Sequence, residues 1–218
     1  MAKLRLLIAD DHDIVRKGLC DLLRGQPGWE ICCEARNGRE AIRQAAERCP
    51  DVIVMDIAMP FLNGLEATRQ ITKHLPTAKV LILTVHESNV LVQQILQAGA
   101  RGYLLKTDAG AELIRAVEIL SRNQAYFSPR VATTVLESFL QKSAAQPAFE
   151  AQNASMTARE REIIQLLAEG KSNKEVASVL NLTVKTAETH RANIMRKLNS
   201  HSVSDLVRYA VRNQMIQV

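Results

Sequence analysis

Apolar and polar residues alternate in two different rhythms along the chain. Over roughly the first 120 positions, short β-rich runs are separated by amphipathic stretches. The runs fall at 4–10, 30–35, 51–56, 79–84 and 102–105. Those around Ile8, Ile53 and Ile82 are almost unbroken apolar stretches, as strands covered on both faces should be. Between them, apolar residues at helical spacing predict helices near 13–24, 38–48, 64–74, 88–98 and 109–121. Strands alternating with helices in this way predict one α/β domain, a doubly wound five-stranded parallel sheet.

The second rhythm begins after a break. Pro129, a favourable first-turn residue, opens a predicted helix over 129–141. Residues 143–155 show no period and read as a linker. Beyond Ser155 the strand signals vanish and helix starts crowd together. Thr157 with Glu160, Ser172 with Glu175 and Ser202 with Asp205 each place a hydroxyl three residues before an acid, the pattern of a capping box. Gly170 supplies a helix stop. Helices are expected near 157–168, 172–180, 183–198 and 202–214, an all-α four-helix unit. The chain thus divides into a domain at 1–122, a linker at 123–154 and a domain at 155–218.

Charge separates these regions further. The net charge of +5 is uneven: residues 1–125 carry 16 basic and 15 acidic side chains, 126–154 carry 2 and 2, and 155–218 carry 10 and 6. The excess on the last third suits a polyanion such as DNA. No apolar run approaches the ~20 residues of a membrane span, and the opening run is broken by Asp10 and Asp11, unlike a signal peptide. The cysteines, Cys20, Cys32, Cys33 and Cys49, form no Cys-x-x-Cys pair. They read as reduced, cytoplasmic, small apolar fillers, with Cys32 and Cys33 on opposite faces of a strand.

In an open parallel sheet, ligands gather beyond the carboxyl ends of the strands. The residues there are Asp10 and Asp11 after the first strand, Asp56 ending the third, Thr84 ending the fourth and Lys106 after the fifth. Each alone is unremarkable, since a strand-end Asp often only caps a helix. Together they converge three carboxylates, a hydroxyl and an ammonium on one edge. Carboxylates so placed call for a cation, and all-oxygen donors suit Mg²⁺. Such a site fits phosphoryl transfer, with Asp56 as nucleophile, Mg²⁺ and Lys106 stabilising oxygen charge, and Thr84 hydrogen-bonding the transferred group.

Ile8-Ala-Asp-Asp-His12, Met55-Asp-Ile-Ala-Met-Pro60 with Asn63-Gly64, Leu83-Thr84 and Gly102-Tyr-Leu-Leu-Lys106 resemble, in order and spacing over about residues 3–122, the receiver domains of response regulators. The resemblance implies a flavodoxin-like sheet of order 2-1-3-4-5. It implies that Asp56 accepts phosphoryl from a sensor histidine kinase and that Asp10 and Asp11 form the acidic pocket. Asp11, Asp56 and the Ala58 carbonyl would ligate Mg²⁺, and Tyr103 would be an aromatic switch that turns inward as Thr84 moves. Thr107 stands where many receivers have proline, which leaves the isomer of the Lys106–Thr107 peptide open. Ala58 and His86, two residues beyond Asp56 and Thr84, are candidates for setting the lifetime of the phosphoryl group.

In the last domain, Val184, Ala187, Ile194 and Leu198, with Arg191 between, share the core spacing of one helix. Lys185, Glu188, Thr189, Ala192 and Arg196 share the other face. Small, hydrogen-bonding and basic groups on one helical face fit a major groove, with Lys185, Arg196 and Lys197 suited to phosphates and Glu188 and Thr189 to base edges. Met156-Thr-Ala-Arg-Glu-Arg-Glu162, Gly170-Lys-Ser-Asn-Lys-Glu175, Thr186-Ala-Glu-Thr-His190 and Asn193-Ile-Met-Arg-Lys-Leu198 resemble a LuxR-type helix-turn-helix over about 152–217. A scaffold helix at 172–180, a recognition helix at 183–198 carrying Thr186 among its contacts, and a dimerising helix at 202–214 are implied. Ala187 stands where that pattern usually has Val.

Receiver and effector together resemble the NarL/FixJ class. That implies a cytoplasmic, phosphorylation-dependent transcriptional regulator, not an enzyme, which binds double-stranded DNA as a homodimer when phosphorylated. An aspartate-nucleophile phosphatase is the enzymatic rival, but it needs a second Asp where Ala58 stands. The other rival is a DNA-binding protein whose receiver serves only as an interaction module.

Overall fold

In the computed structural model, residues 3–85, 89–128 and 156–216 are described. They fall into two compact units. The predicted helix at 129–141, most of the linker and His86 lie outside the described residues.

The first unit alternates as its hydrophobic rhythm requires: β1 (Leu4–Ala9), α1 (Asp13–Arg24), β2 (Trp29–Ala35), α2 (Gly38–Arg48), β3 (Val52–Asp56), α3 (Gly64–His74), β4 (Lys79–Thr84), α4 (Asn89–Gln97), β5 (Gly102–Leu105) and α5 (Ala109–Ser121). The strands are parallel, in the order β2-β1-β3-β4-β5, extended by a sixth, β6 (Tyr126–Phe127), beside β5. Five strands were expected, and β6 falls in the stretch read as linker. Tyr126 holds it there: its backbone pairs with Gly102, its ring is buried, and its hydroxyl donates to the Glu112 carboxylate on α5.

β1, β3 and β4 are buried on both faces, which explains their unbroken apolar runs. One face, through Leu6, Ile8, Val54 and Leu83, packs on Leu19 and Leu23 of α1 and Leu113 and Val117 of α5. Burying one such side chain stabilises the fold by about 1.5–3 kcal/mol.

The edge strand β2 departs from regular alternation. Leu6 pairs with Ile31 and Leu7 with Cys33, so Cys32 is an extra residue, a β-bulge. The bulge cancels one alternation of faces. The Cys32 and Cys33 sulfurs consequently lie 3.6 Å apart, not on opposite faces as a regular strand would place them. It also aligns Glu34 with Ile8, on the α1 side, where Arg16 and Arg24 reach its carboxylate at 3.1 and 3.3 Å.

The second unit is helical: α6 (Ala158–Ala168), α7 (Asn173–Leu180), α8 (Val184–Lys197) and α9 (Val203–Arg212). All three predicted capping boxes are present, at Thr157, Ser172 and Ser202. A single core joins Ile163, Leu166, Val176, Leu180, Ala187, Ile194 and Leu206. Val184 departs from its expected place in that core. It is 43% exposed, because the first turn of α8 projects past the core that Ala187 and Ile194 enter. No helix among the described residues is long and apolar enough to cross a membrane.

Candidate functional site

Strand ends bring the predicted acidic residues together. Asp10 follows β1 and is fully buried, and Asp56 closes β3 with 3% exposure. Lys106, just past β5, sets its ammonium 2.8 Å from Asp10 Oδ2 and 2.8 Å from Asp56 Oδ2. Thr84 at the end of β4 and Tyr103 on β5 are both buried, so the tyrosine ring already lies inside. The Lys106–Thr107 peptide is trans.

Electrostatics in this cluster do not balance. Burial pushes the Asp56 carboxyl up to about 6, and the Asp10 charge adds to the rise, while the Lys106 ammonium and the Ala58 amide pull it back. Burial opposes the charge on Lys106 too, but hydrogen bonds to Asp10 and Asp56 outweigh it and hold the amine above its ordinary value. Ligand atoms of Asp10, Asp11, His12 and Asp56 all lie within 4.8 Å of one another. Three carboxylates against one ammonium leave an excess of negative charge. A hard divalent cation with oxygen ligands would offset it, so the donor set fits Mg²⁺.

The loop carrying these groups has little freedom. A Cβ added at Gly64 would sit 1.8 Å from the Asp56 carbonyl oxygen, so only glycine lets α3 start so close to β3. Asn63 caps that helix by accepting from the Glu66 amide at 2.9 Å.

Sequence reasoning assigned no role to two residues here. His12 Nδ1 lies 2.9 Å from Asp11 Oδ1, and its amide donates to Asp10 Oδ1 at 2.8 Å. Arg16 is buried, donates to the Asp10 carbonyl at 2.9 Å and to Glu34, and pairs with Asp13. Its signal was present in the sequence: Arg16, Leu19, Cys20 and Leu23 form the buried stripe of α1, and a guanidinium in that stripe needs internal acceptors.

On α8, Lys185, Glu188, Thr189, Ala192, Arg196 and Lys197 are exposed as predicted, and Thr186 is half-buried beside Thr183. A shallow groove of about 340 Å³ is lined by Thr183, Lys185, Thr186, Thr189, His190 and Asn193. His190 and Asn193 thus join that face. Lys197 is engaged within the domain, its ammonium 2.7 Å from the Glu160 carboxylate.

Residues 6–118 match the response regulator receiver domain, and residues 154–210 match the bacterial regulatory proteins of the luxR family. The chain belongs to the two-component response regulators of the NarL class. It is 40% identical over 213 residues to the transcriptional regulatory protein LiaR of Bacillus subtilis strain 168, covering 98% of this chain and 99% of that one. It is 37% identical over 214 residues to the response regulator protein VraR of Staphylococcus aureus strain COL, covering 98% and 99%. Among solved structures, a LuxR-family two-component response regulator from Aurantimonas sp. SI85-9A1 is similar at 35% identity and a TM-score of 0.60. That match covers 64% of this chain and 99% of the other. This response regulator is a transcriptional regulator built from a receiver and a LuxR-type DNA-binding domain.

Proposed function

We propose that Asp56 accepts a phosphoryl group from a sensor histidine kinase, and that its charge state governs dimerisation and DNA binding. The observation that carries this reading is the Lys106 ammonium lying 2.8 Å from both Asp10 and Asp56 at the carboxyl edge of the sheet. An Asp56 oxygen would attack the phosphohistidine phosphorus, forming a P–O bond as the P–N bond breaks. Asp11, Asp56 and the Ala58 carbonyl would hold Mg²⁺, which when bound supplies neutralising charge. Lys106 would exchange its contact with Asp56 for a phosphoryl oxygen, and Thr84 would hydrogen-bond another.

The new group brings close to two negative charges. At an effective dielectric near 20, an ammonium ~4 Å away gains up to several kcal/mol, enough to repopulate a bistable loop. Tyr103 would then be fixed in the buried position it already occupies. The helical domain would dimerise, and two α8 helices one DNA turn apart would read a repeated operator through Lys185, Thr186, Glu188, Thr189, Ala192 and Arg196. The protein would act in the cytoplasm and turn over no substrate apart from its own phosphoaspartate.

Intact-mass measurement after incubation with Mg²⁺ and acetyl phosphate tests this. One phosphoryl group is expected per chain, absent in Asp56→Ala, with tighter operator binding by the labelled protein. A label that persists in Asp56→Ala refutes the assignment.

A further inference from the structure

The bulge on β2 does more than re-aim Glu34. A regular strand sends neighbouring side chains to opposite faces, so adjacent cysteines could not act together. Because Cys32 is the extra residue between the Ile31 and Cys33 pairings, both sulfurs lie side by side, 3.6 Å apart. β2 is the edge strand of the sheet, and both cysteines are half-buried, not sealed in the core. The positive charges of Arg5 and Arg48 act on Cys33. Cys20 is buried and Cys49 is exposed.

We propose that Cys32 and Cys33 form a vicinal dithiol site that captures trivalent arsenicals through both sulfurs at once. Geometry favours capture of a third atom over closure of a disulfide. The α-carbons of adjacent residues stand roughly 3.8 Å apart. That is below the ~4.4 Å minimum usual for a disulfide, whose sulfurs must approach to about 2 Å. By contrast, two bonds of about 2.3 Å from sulfur to a shared centre span roughly 3.4 Å at the ~95° angle of a pyramidal trivalent atom and roughly 3.8 Å at a tetrahedral one. The observed separation already suits a bridging atom.

With an organoarsenic oxide, R–As=O, two As–S bonds form and the As–O bonds are lost. The oxygen leaves as water with both thiol protons, and arsenic stays trivalent, so no oxidant or reductant is required. Burial pushes the Cys33 thiol up to about 12, and hydrogen bonding with Cys32 adds to the rise. That slows attack by a single thiolate on an alkylating agent. Chelation gains from two bonds at once, and Arg5 and Arg48 favour the sulfur charge that develops on the way.

Intact-mass spectrometry of the full chain with one equivalent of phenylarsine oxide at neutral pH tests the site. One phenylarsenic per chain is expected, stable to excess glutathione and removed by 2,3-dimercaptopropanol. Cys32→Ser and Cys33→Ser should each lose it, and Cys20→Ser and Cys49→Ser should keep it. Tryptic mapping of the wild-type adduct gives a second measurement that does not depend on any variant folding. The adduct should lie on the peptide spanning 25–36, which holds no other cysteine. No adduct, an adduct on another peptide, or one that survives either Cys32→Ser or Cys33→Ser overturns the proposal.

Discussion

In the receiver, the charges at the centre of the site are shut away from water: Asp10 and Asp56 are buried, Arg16 is buried against the Asp10 carbonyl, and the Lys106 side chain is only 17% exposed, while Asp11 at the rim is half-buried. On α8 of the DNA-binding domain, Lys185, Glu188 and Arg196 are exposed. Buried charges interact through a poor dielectric and carry a desolvation cost, so their cluster is energetically poised and responds to one added charge. Exposed charges are screened, cost little, and act on a partner through their summed field. The first arrangement makes a sensor and the second makes a reader.

The contrast breaks most visibly at Arg16. Arg16→Met keeps the stem but strips the guanidinium from the Asp10 carbonyl, Asp13 and Glu34. Taking the charged donor from the buried Asp10 carbonyl, while Glu34 keeps Arg24 and Asp13 keeps Arg36, should cost about 2–4 kcal/mol, read as a lower urea midpoint of the receiver. A loss as small as that of an exposed arginine would mean the buried network contributes nothing special.

The next effect carries a sign that tests the poise directly. Asp56 has its carboxyl raised from 3.8 to about 6 by burial, so the folded state keeps a proton that the unfolded chain releases between those values. Stability therefore falls as pH rises through that window, by up to about 3 kcal/mol in the absence of a cation. Asp56→Asn should be more stable than the parent at pH 7 to 8 in EDTA. The advantage should shrink towards pH 4, and Mg²⁺ should narrow it by stabilising only the parent. Equal melting curves at pH 8 in EDTA would show that burying the Asp56 charge carries no such penalty.

What the chain discloses about itself follows the same division between local and distant. Helices such as α1 and α2 match their predicted spans because apolar spacing is a local signal. The acidic pocket was legible too, since parallel-sheet topology converts strand ends into neighbours without any knowledge of packing. β6 was not, because two residues carry no period. Nor was the bulge at Cys32: the run from Trp29 to Ala35 reads equally well in either register, and only pairing with β1 decides between them. Val184 satisfied the helical spacing yet lies exposed, since spacing gives direction around a helix but not how far the core extends along it.

A smaller effect belongs to the helical domain. Thr157 caps α6, accepting from the Glu160 amide while Glu160 reaches back to the Thr157 amide. Thr157→Ala should lower stability by about 1 kcal/mol, because one helix-start donor loses its partner. Thermal melts of the 155–218 fragment and of the whole chain should both show it. A shift confined to the receiver's transition would contradict the assignment of this cap to the domain's own core.

The smallest change in stability should accompany a clear change in binding, and two lysines on one helix separate these effects. Lys185 is exposed on the groove-lining face, and Lys197 sits 2.7 Å from Glu160. Lys185→Ala should leave the melting temperature within error, as surface substitutions typically stay within about 0.5 kcal/mol. It should also flatten the dependence of log K on log salt for duplex DNA by about one unit, because one phosphate contact and its released counterion are lost. Lys197→Ala should do the reverse, lowering stability through the lost ion pair with Glu160, which keeps its Thr157 partners, and changing the salt slope less. If both variants flatten the slope equally, Lys197 contacts phosphate despite its internal partner, and the division of labour along α8 is wrong.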